Sequence, residues 1–207
     1  TQSKCNAALA KKMPPRGNVS IITQSGALGT AILDWSDATG VGFDSFVSLG
    51  NKSDLNEIDF MEAWKQDDNT KVILAYLEGI TDGRRFIEVA RDVSRSKPII
   101  VVKSGRTSAG ARAVSSHTGS RAGSDAAYDS AFMQSGVIRA ETMNQFFDMA
   151  GGFSGQPIPT GDRVAIVTNA GGPGILATDS CERHGLRLAT LSKETIDTLK
   201  TTLPAAA

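Results

Sequence analysis

Histidine occurs twice in this chain, and His117 is the one set among small residues, in Ser115-Ser116-His117-Thr118-Gly119-Ser120-Arg121-Ala122-Gly123-Ser124-Asp125. An imidazole held in such a loop can stay neutral near pH 7, accept a phosphoryl group on one nitrogen and pass it on. The other, His184, closes the helical pattern at Glu182-Arg183-His184-Gly185. A histidine there complements the helix dipole, and no catalytic role is expected of it. Further polar groups stand at predicted strand ends: Gln24-Ser25-Gly26, Gly50-Asn51, Glu78-Gly79 and Lys103-Ser104-Gly105. Ligands of an open parallel sheet bind outside the carboxyl ends of its strands. The Glu78 carboxylate, the His117 imidazole and the glycine turns are therefore expected on one edge.

The turn at Ser25-Gly26-Ala27-Leu28-Gly29 opens a helical pattern, so its N–H groups and the positive end of the helix dipole can hold an anion. One such end contributes only about 0.3–1 kcal/mol at an exposed site. A second turn of the same kind stands at Gly171-Gly172-Pro173-Gly174, where Pro173 costs little because its missing N–H would have no partner in the first turn. Two helix starts directed at one phosphoryl group would stabilise its charge from both sides. Taken singly, each turn is ordinary punctuation in an α/β protein, and Glu78 reads equally well as a solvated loop carboxylate. The chain carries no G-x-x-x-x-G-K-[ST] loop, and Gly26-Ala27-Leu28-Gly29 lacks the full dinucleotide fingerprint.

The two turns belong to a repeat. Residues 18–29 and 163–174 match at a constant offset, which continues from Asp34 to Asp179 and from Gly40 to Gly185. Each copy reads as a β-branched apolar run, a glycine turn and a helix closed by glycine. Strands are expected near Val19–Thr23, Asp44–Leu49, Lys71–Leu77, Pro98–Lys103 and Val137–Arg139. Helices are expected over Leu28–Ala38, Asp54–Gln66, Arg84–Ser94, Asp125–Gln134 and Met143–Gly151, with Thr142 and Gln145 as a capping box for the last. Trp35, Phe132, Phe146 and Phe147 fall on apolar helix faces and are assigned to the core. Strands alternating with helices predict a parallel, doubly wound sheet. Gly151 to Pro159 reads as a linker, after which the second copy begins and reads as truncated at Ala207.

Composition removes several classes of function. Lys plus Arg and Asp plus Glu balance at 22 each, so no basic excess points to nucleic acid or an anionic membrane. No apolar run reaches the roughly 20 residues of a membrane span, and the polar N-terminus does not read as a signal peptide. Cys5 and Cys181 lie far apart, without metal-ligand spacing, which fits a reducing cytoplasm and no bound metal.

Thr23–Leu33, Val47–Asn51, Tyr76–Gly79, Ala113–Ser120, Ala122–Asp125 and Val167–Gly174 together resemble the NDP-forming acyl-CoA synthetases, relatives of succinyl-CoA synthetase, over nearly the whole chain from Gly17. The resemblance implies a flavodoxin-like, succinyl-CoA ligase-like domain over 17–153, a linker at 154–160 and a second flavodoxin-like unit from 161 to 207. It implies reversible coupling of acyl-CoA thioester cleavage to ATP synthesis through a phosphohistidine. His117 would be phosphorylated and Glu78 would orient and charge-pair its imidazole. Ser25, Gly26 and Ala27, with Gly171, Gly172, Pro173 and Gly174, would cradle the phosphate. CoA or acyl-CoA, ADP or ATP, and phosphate would be substrates, with no permanently bound cofactor, and Mg would accompany the nucleotide in an ATP-grasp domain or subunit. A CoA-binding Rossmann domain is also implied, and residues 1–16 look like the tail of what precedes this region. The chain would then be a fragment that does not turn over alone, part of an oligomer in the full protein. Arg121 stands where the family pattern leads one to expect an apolar residue.

Two other classes compete. An acyl-CoA-sensing module of a protein acetyltransferase would share the fold but typically lacks the histidine, so His117 favours the enzyme. A plain phosphate- or nucleotide-binding flavodoxin-like domain would have no use for Glu78 beside His117.

Overall fold

The computed structural model describes residues 13–118 and 123–204, with the side chains of His117 and Thr118 outside what it describes. Five parallel strands, β1 (Arg16–Thr23), β2 (Phe43–Ser48), β3 (Val72–Leu77), β4 (Ile99–Lys103) and β5 (Ile138–Arg139), form a sheet in the order β2-β1-β3-β4-β5. Between and after them run α1 (Gly26–Thr39), α2 (Glu57–Lys65), α3 (Gly83–Ser94), α4 (Ser108–Thr118), α5 (Asp125–Ser135) and α6 (Met143–Gly155). The expected doubly wound α/β architecture is present. Because β2 and β3 lie on opposite sides of β1, the strand order reverses between β1 and β3, and a crevice opens at the carboxyl ends of those two strands.

Strand residues are apolar on both faces because both faces are covered. Ile22, Ile73, Ala75, Leu77, Ile99 and Val101 pack against α2, α3 and α5 through Met61, Phe86 and Phe132. Val19, Ile21, Val72, Leu74 and Ile100 pack on the other side with Ile32 of α1 and with Phe146 and Ala150 of α6. Trp35 and Phe147 stack there at 4.4 Å, so all four aromatics assigned to the core take part in it.

Several boundaries differ from expectation for identifiable reasons. α2 starts at Glu57 rather than Asp54, because Asn56 caps it reciprocally. Its side chain accepts from Ile58 N at 2.8 Å, and its own N–H donates to Asp59 Oδ2 at 2.9 Å. Thr142 accepts from Gln145 N at 3.2 Å, but the returning Gln145 side chain accepts from Glu141 N at 2.8 Å, one residue before the predicted capping-box partner. α6 continues to Gly155, four residues beyond its expected end at Gly151. Phe153 packs on the core there, and Asn18 Nδ2 donates to Ser154 O at 2.9 Å, offsetting the poor helix propensity of its glycines. α4 was not anticipated: Ser115 to Thr118, expected in a loop, complete this helix.

The chain divides into two compact units, 1–157 and 158–207. The second holds β6 (Arg163–Val164), α7 (Gly171–Arg183), β7 (Arg187–Leu188) and α8 (Lys193–Thr202), with β6 parallel to β7. The repeat is carried into its geometry. Gly40 and Gly185 follow α1 and α7 at φ 74° and 71°, a conformation that favours glycine at the helix end. Among the described residues no helix is long and apolar enough to cross a membrane.

Candidate functional site

The exit from β1 is built by short-range hydrogen bonds. Thr23 Oγ1 donates to Ser25 O at 2.8 Å and accepts from Ser25 N at 3.1 Å, turning the chain sharply at the strand end. Ser25 then caps α1, its hydroxyl accepting from Leu28 N at 3.3 Å while its carbonyl accepts from Gly29 N at 3.0 Å. The Gly26 and Ala27 amides are left at the open end of the helix, where an anion is favoured. Gly29 permits this packing: a Cβ there would come within 3.2 Å of the Phe46 ring and 3.3 Å of Thr23 Cγ2.

Across the crevice stands Glu78, only 6% exposed, immediately after β3. Its backbone is fastened by Gln24, whose Oε1 accepts from Glu78 N at 2.7 Å and from Gly79 N at 3.1 Å. Gln24 Nε2 donates to Gly79 O at 3.0 Å. From the β2 side, Lys52 Nζ donates to the same Gly79 O at 2.6 Å and lies 2.8 Å from Oε2 of buried Glu57. Glu78 is thus a buried group on a loop held from two neighbouring strands, and the solvated-carboxylate reading is set aside.

Lys103, at the end of β4, is buried over the Tyr128 ring at 4.3 Å and donates to Ser104 O. Burial pushes its ammonium below the usual lysine range; the charges of Asp125 and Glu78 oppose that shift, and those of Arg139 and Lys52 add to it. Tyr128 in turn accepts from Ile80 N at 3.4 Å, joining α5 to the Glu78 loop. Arg106, ahead of α4, pairs with Asp125 at the start of α5 at 3.4 Å, and with Glu141. Arg139 holds Asp125 at 2.5 Å. Arg106, before α4, and Asp125, at the start of α5, are thus paired with each other on either side of the segment that carries His117.

Ser25, Gly26 and Ala27 follow β1 and Glu78 follows β3, at the carboxyl ends of two neighbouring parallel strands. His117 lies in α4, and its side chain is outside the described residues, as is Arg121. Gly171, Gly172, Pro173 and Gly174 form the first turn of α7 in the second unit. His184 is exposed at the end of α7 with Nδ1 donating to Ser180 O at 2.7 Å, a helix-end role. Cys181 is a buried free thiol, and Cys5 is outside the described residues. Of the residues that build this site, Gln24 and Lys103 stand among the strand-end polar groups read from the sequence, whereas Lys52 and Glu57 do not. A glutamine directly after a strand and a glutamate in the first turn of a helix are the only signals the sequence offers for Gln24 and Glu57.

Residues 16–153 match the family model of the succinyl-CoA ligase-like flavodoxin domain. The chain is 50% identical over 188 residues to the acetate–CoA ligase [ADP-forming] I subunit alpha of Pyrococcus furiosus, covering 91% of this chain and 41% of that one. It is 47% identical over 204 residues to the acetate–CoA ligase [ADP-forming] of Methanocaldococcus jannaschii, covering 99% and 29%. Among solved structures, the Candidatus Korarchaeum cryptofilum dinucleotide-forming acetyl-coenzyme A synthetase 1 in complex with phosphate and ADP superposes with a TM-score of 0.92 at 45% identity, covering all of this chain and 45% of that one. The chain thus spans less than half the length of these relatives. By its sheet order and its match over 16–153, it belongs to the succinyl-CoA ligase-like flavodoxin domain family.

Proposed function

We propose that this chain is the phosphoryl-relay core of an ADP-forming acyl-CoA synthetase. The observation that carries the reading is Glu78, buried at the strand-order reversal, fastened by Gln24 and set beside the capped start of α1. The likeness to ADP-forming acetate–CoA ligases and to a synthetase bound to phosphate and ADP supports it. In the proposed reaction, a phosphate oxygen attacks the thioester carbonyl of acyl-CoA, and the CoA thiolate leaves and takes up a proton. A nitrogen lone pair of His117 then attacks the phosphorus of the acyl phosphate, and the carboxylate departs with the bonding electrons. Phosphohistidine finally gives its phosphoryl group to ADP, forming ATP and restoring neutral imidazole.

Glu78 would orient the imidazole, fix its tautomer and stabilise the positive charge that develops on it. The Gly26 and Ala27 amides would hold the phosphoryl oxygens, and the Gly171–Gly174 turn of the second unit would supply a matching helix start. CoA and nucleotide would bind in a CoA-binding part and an ATP-grasp part, in the same or a partner chain, with Mg accompanying the nucleotide there. The complete protein, given acetyl-CoA, ADP and phosphate, should form ATP and free CoA, and His117→Ala should abolish ATP formation. ATP formation at an unchanged rate in that variant would overturn the reading.

A further inference from the structure

We propose that Lys52 is a positioning residue for this phosphoryl transfer, holding the Glu78–Gly79 peptide from the β2 side while Gln24 holds it from β1. The proposal rests on the roles given above to Glu78 and His117. Lys52 is the only non-glycine residue at positive φ among the described residues, at 55°. Glycine or asparagine would adopt that backbone with less strain. What lysine adds is a cation that reaches two partners at once. Its Nζ donates to Gly79 O at 2.6 Å and lies 2.8 Å from Glu57 Oε2.

Glu57 is 1% exposed, and a carboxylate that deep in the fold requires a cation beside it. Lys52 meets that need while spending a hydrogen bond on the residue next to Glu78. Gly79 O therefore accepts from both Lys52 and Gln24, and the Glu78 and Gly79 amides both donate to Gln24 Oε1. With its peptide held from β1 and β2, Glu78 has little freedom to change its approach to an imidazole. Displacing a positioned group by about 1 Å lowers a rate by about 100-fold, so a clasp of this kind acts on catalysis without touching the substrate.

The test uses the complete protein and labelled ATP, following phosphoryl transfer to His117. Lys52→Asn combined with Glu57→Gln keeps the left-handed backbone accessible, removes the cation and strands no buried carboxylate. Its rate constant for phosphoenzyme formation should fall by about 100-fold, with KM for ATP and Tm close to wild type. Lys52→Arg, which keeps a cationic donor, should recover at least about tenfold of that loss. Labelling of the double variant at the wild-type rate would overturn the positioning role alone. A parallel fall in rate and Tm in both variants would mark Lys52 as a structural staple and would also overturn it. Label persisting in His117→Ala would instead overturn the relay on which the proposal rests.

Discussion

At Gly26 and at Gly171 the chain makes the same turn twice, in very different surroundings. In the first copy Thr23 Oγ1 bonds the backbone of Ser25 at 2.8 and 3.1 Å; in the second, Thr168 Oγ1 bonds Ala170 at 3.0 and 3.1 Å. Gly29 and Gly174 each lie against the methyl group of that threonine, where a Cβ would come within 3.3 and 3.0 Å. The differences begin with side chains. Ser25 caps its helix, whereas Ala170 has no side-chain oxygen to do so. Gln24 reaches across to the Glu78 loop, whereas Asn169 is exposed. The first turn is backed by five strands with buried cores on both faces, the second by two strands of two residues. The turn geometry is thus a local property of a Thr-x-Ser/Ala-Gly segment. A buried carboxylate held beside it depends on a completed sheet.

The largest effect expected from this contrast lies in the cores. Phe146→Ala removes a fully buried ring and should cost the first unit about 3–5 kcal/mol, whereas Ile175→Ala in the second, at a side chain 65% exposed, should change stability by less than about 0.5 kcal/mol. Hydrogen exchange followed separately over 13–157 and 158–204 would read both. Equal losses would mean that the second unit is as fully packed as the first.

A smaller, pH-dependent difference is expected between the two arginine–aspartate contacts. Burial opposes ionisation of Asp125, but the hydrogen bond and charge of Arg139, and then those of Arg106, hold its carboxyl below the usual carboxylate range. A depressed folded value contributes stability that is fully present above the ordinary carboxylate value of about 4 and is lost as the pH falls through the folded value. Asp125→Asn should therefore destabilise the first unit by about 1–2 kcal/mol at pH 7. The gap from wild type should close on acidification below pH about 4. Asp162 is also held low by its hydrogen bonds from Arg187, yet that pair is solvent-exposed, so Asp162→Asn should move the second unit far less. Thermal melts of the two variants at several pH values would check the order.

The smallest effect concerns the cap itself. Ser25→Ala should cost about 1 kcal/mol, and Ala170→Ser should gain up to about 1 kcal/mol by installing at α7 the bond that α1 already has. Opposite shifts in the exchange protection of the two helices would confirm the symmetry. A destabilising Ala170→Ser would show that the shared turn differs in a way the hydrogen bonds do not reveal.

Periodicity exposed most of this architecture because the central strands β1, β3 and β4 are apolar on both faces and five helices pack apolar side chains against the sheet. It did not expose α4, whose Ser108–Thr118 sequence is mostly Ala, Gly and Ser, with Val114 its one buried apolar side chain. It stopped α6 early at glycines that the packing of Phe153 overrides. At the site, Ser25, Gly26 and Glu78 were legible because a glycine turn and a carboxylate at strand ends have a recognisable composition. The Gln24–Lys52 clasp was not, because its target is the backbone of Glu78 and Gly79, and a bond to a peptide group selects no residue type at the other end.

The most direct measurement is to incubate the complete protein with labelled ATP, isolate the phosphoprotein and find the residue that carries the label. An acid-labile, alkali-stable phosphoryl group on His117, absent in His117→Ala and strongly reduced in Glu78→Gln, is the expected result. Label on another residue, or label undiminished in His117→Ala, would contradict the relay.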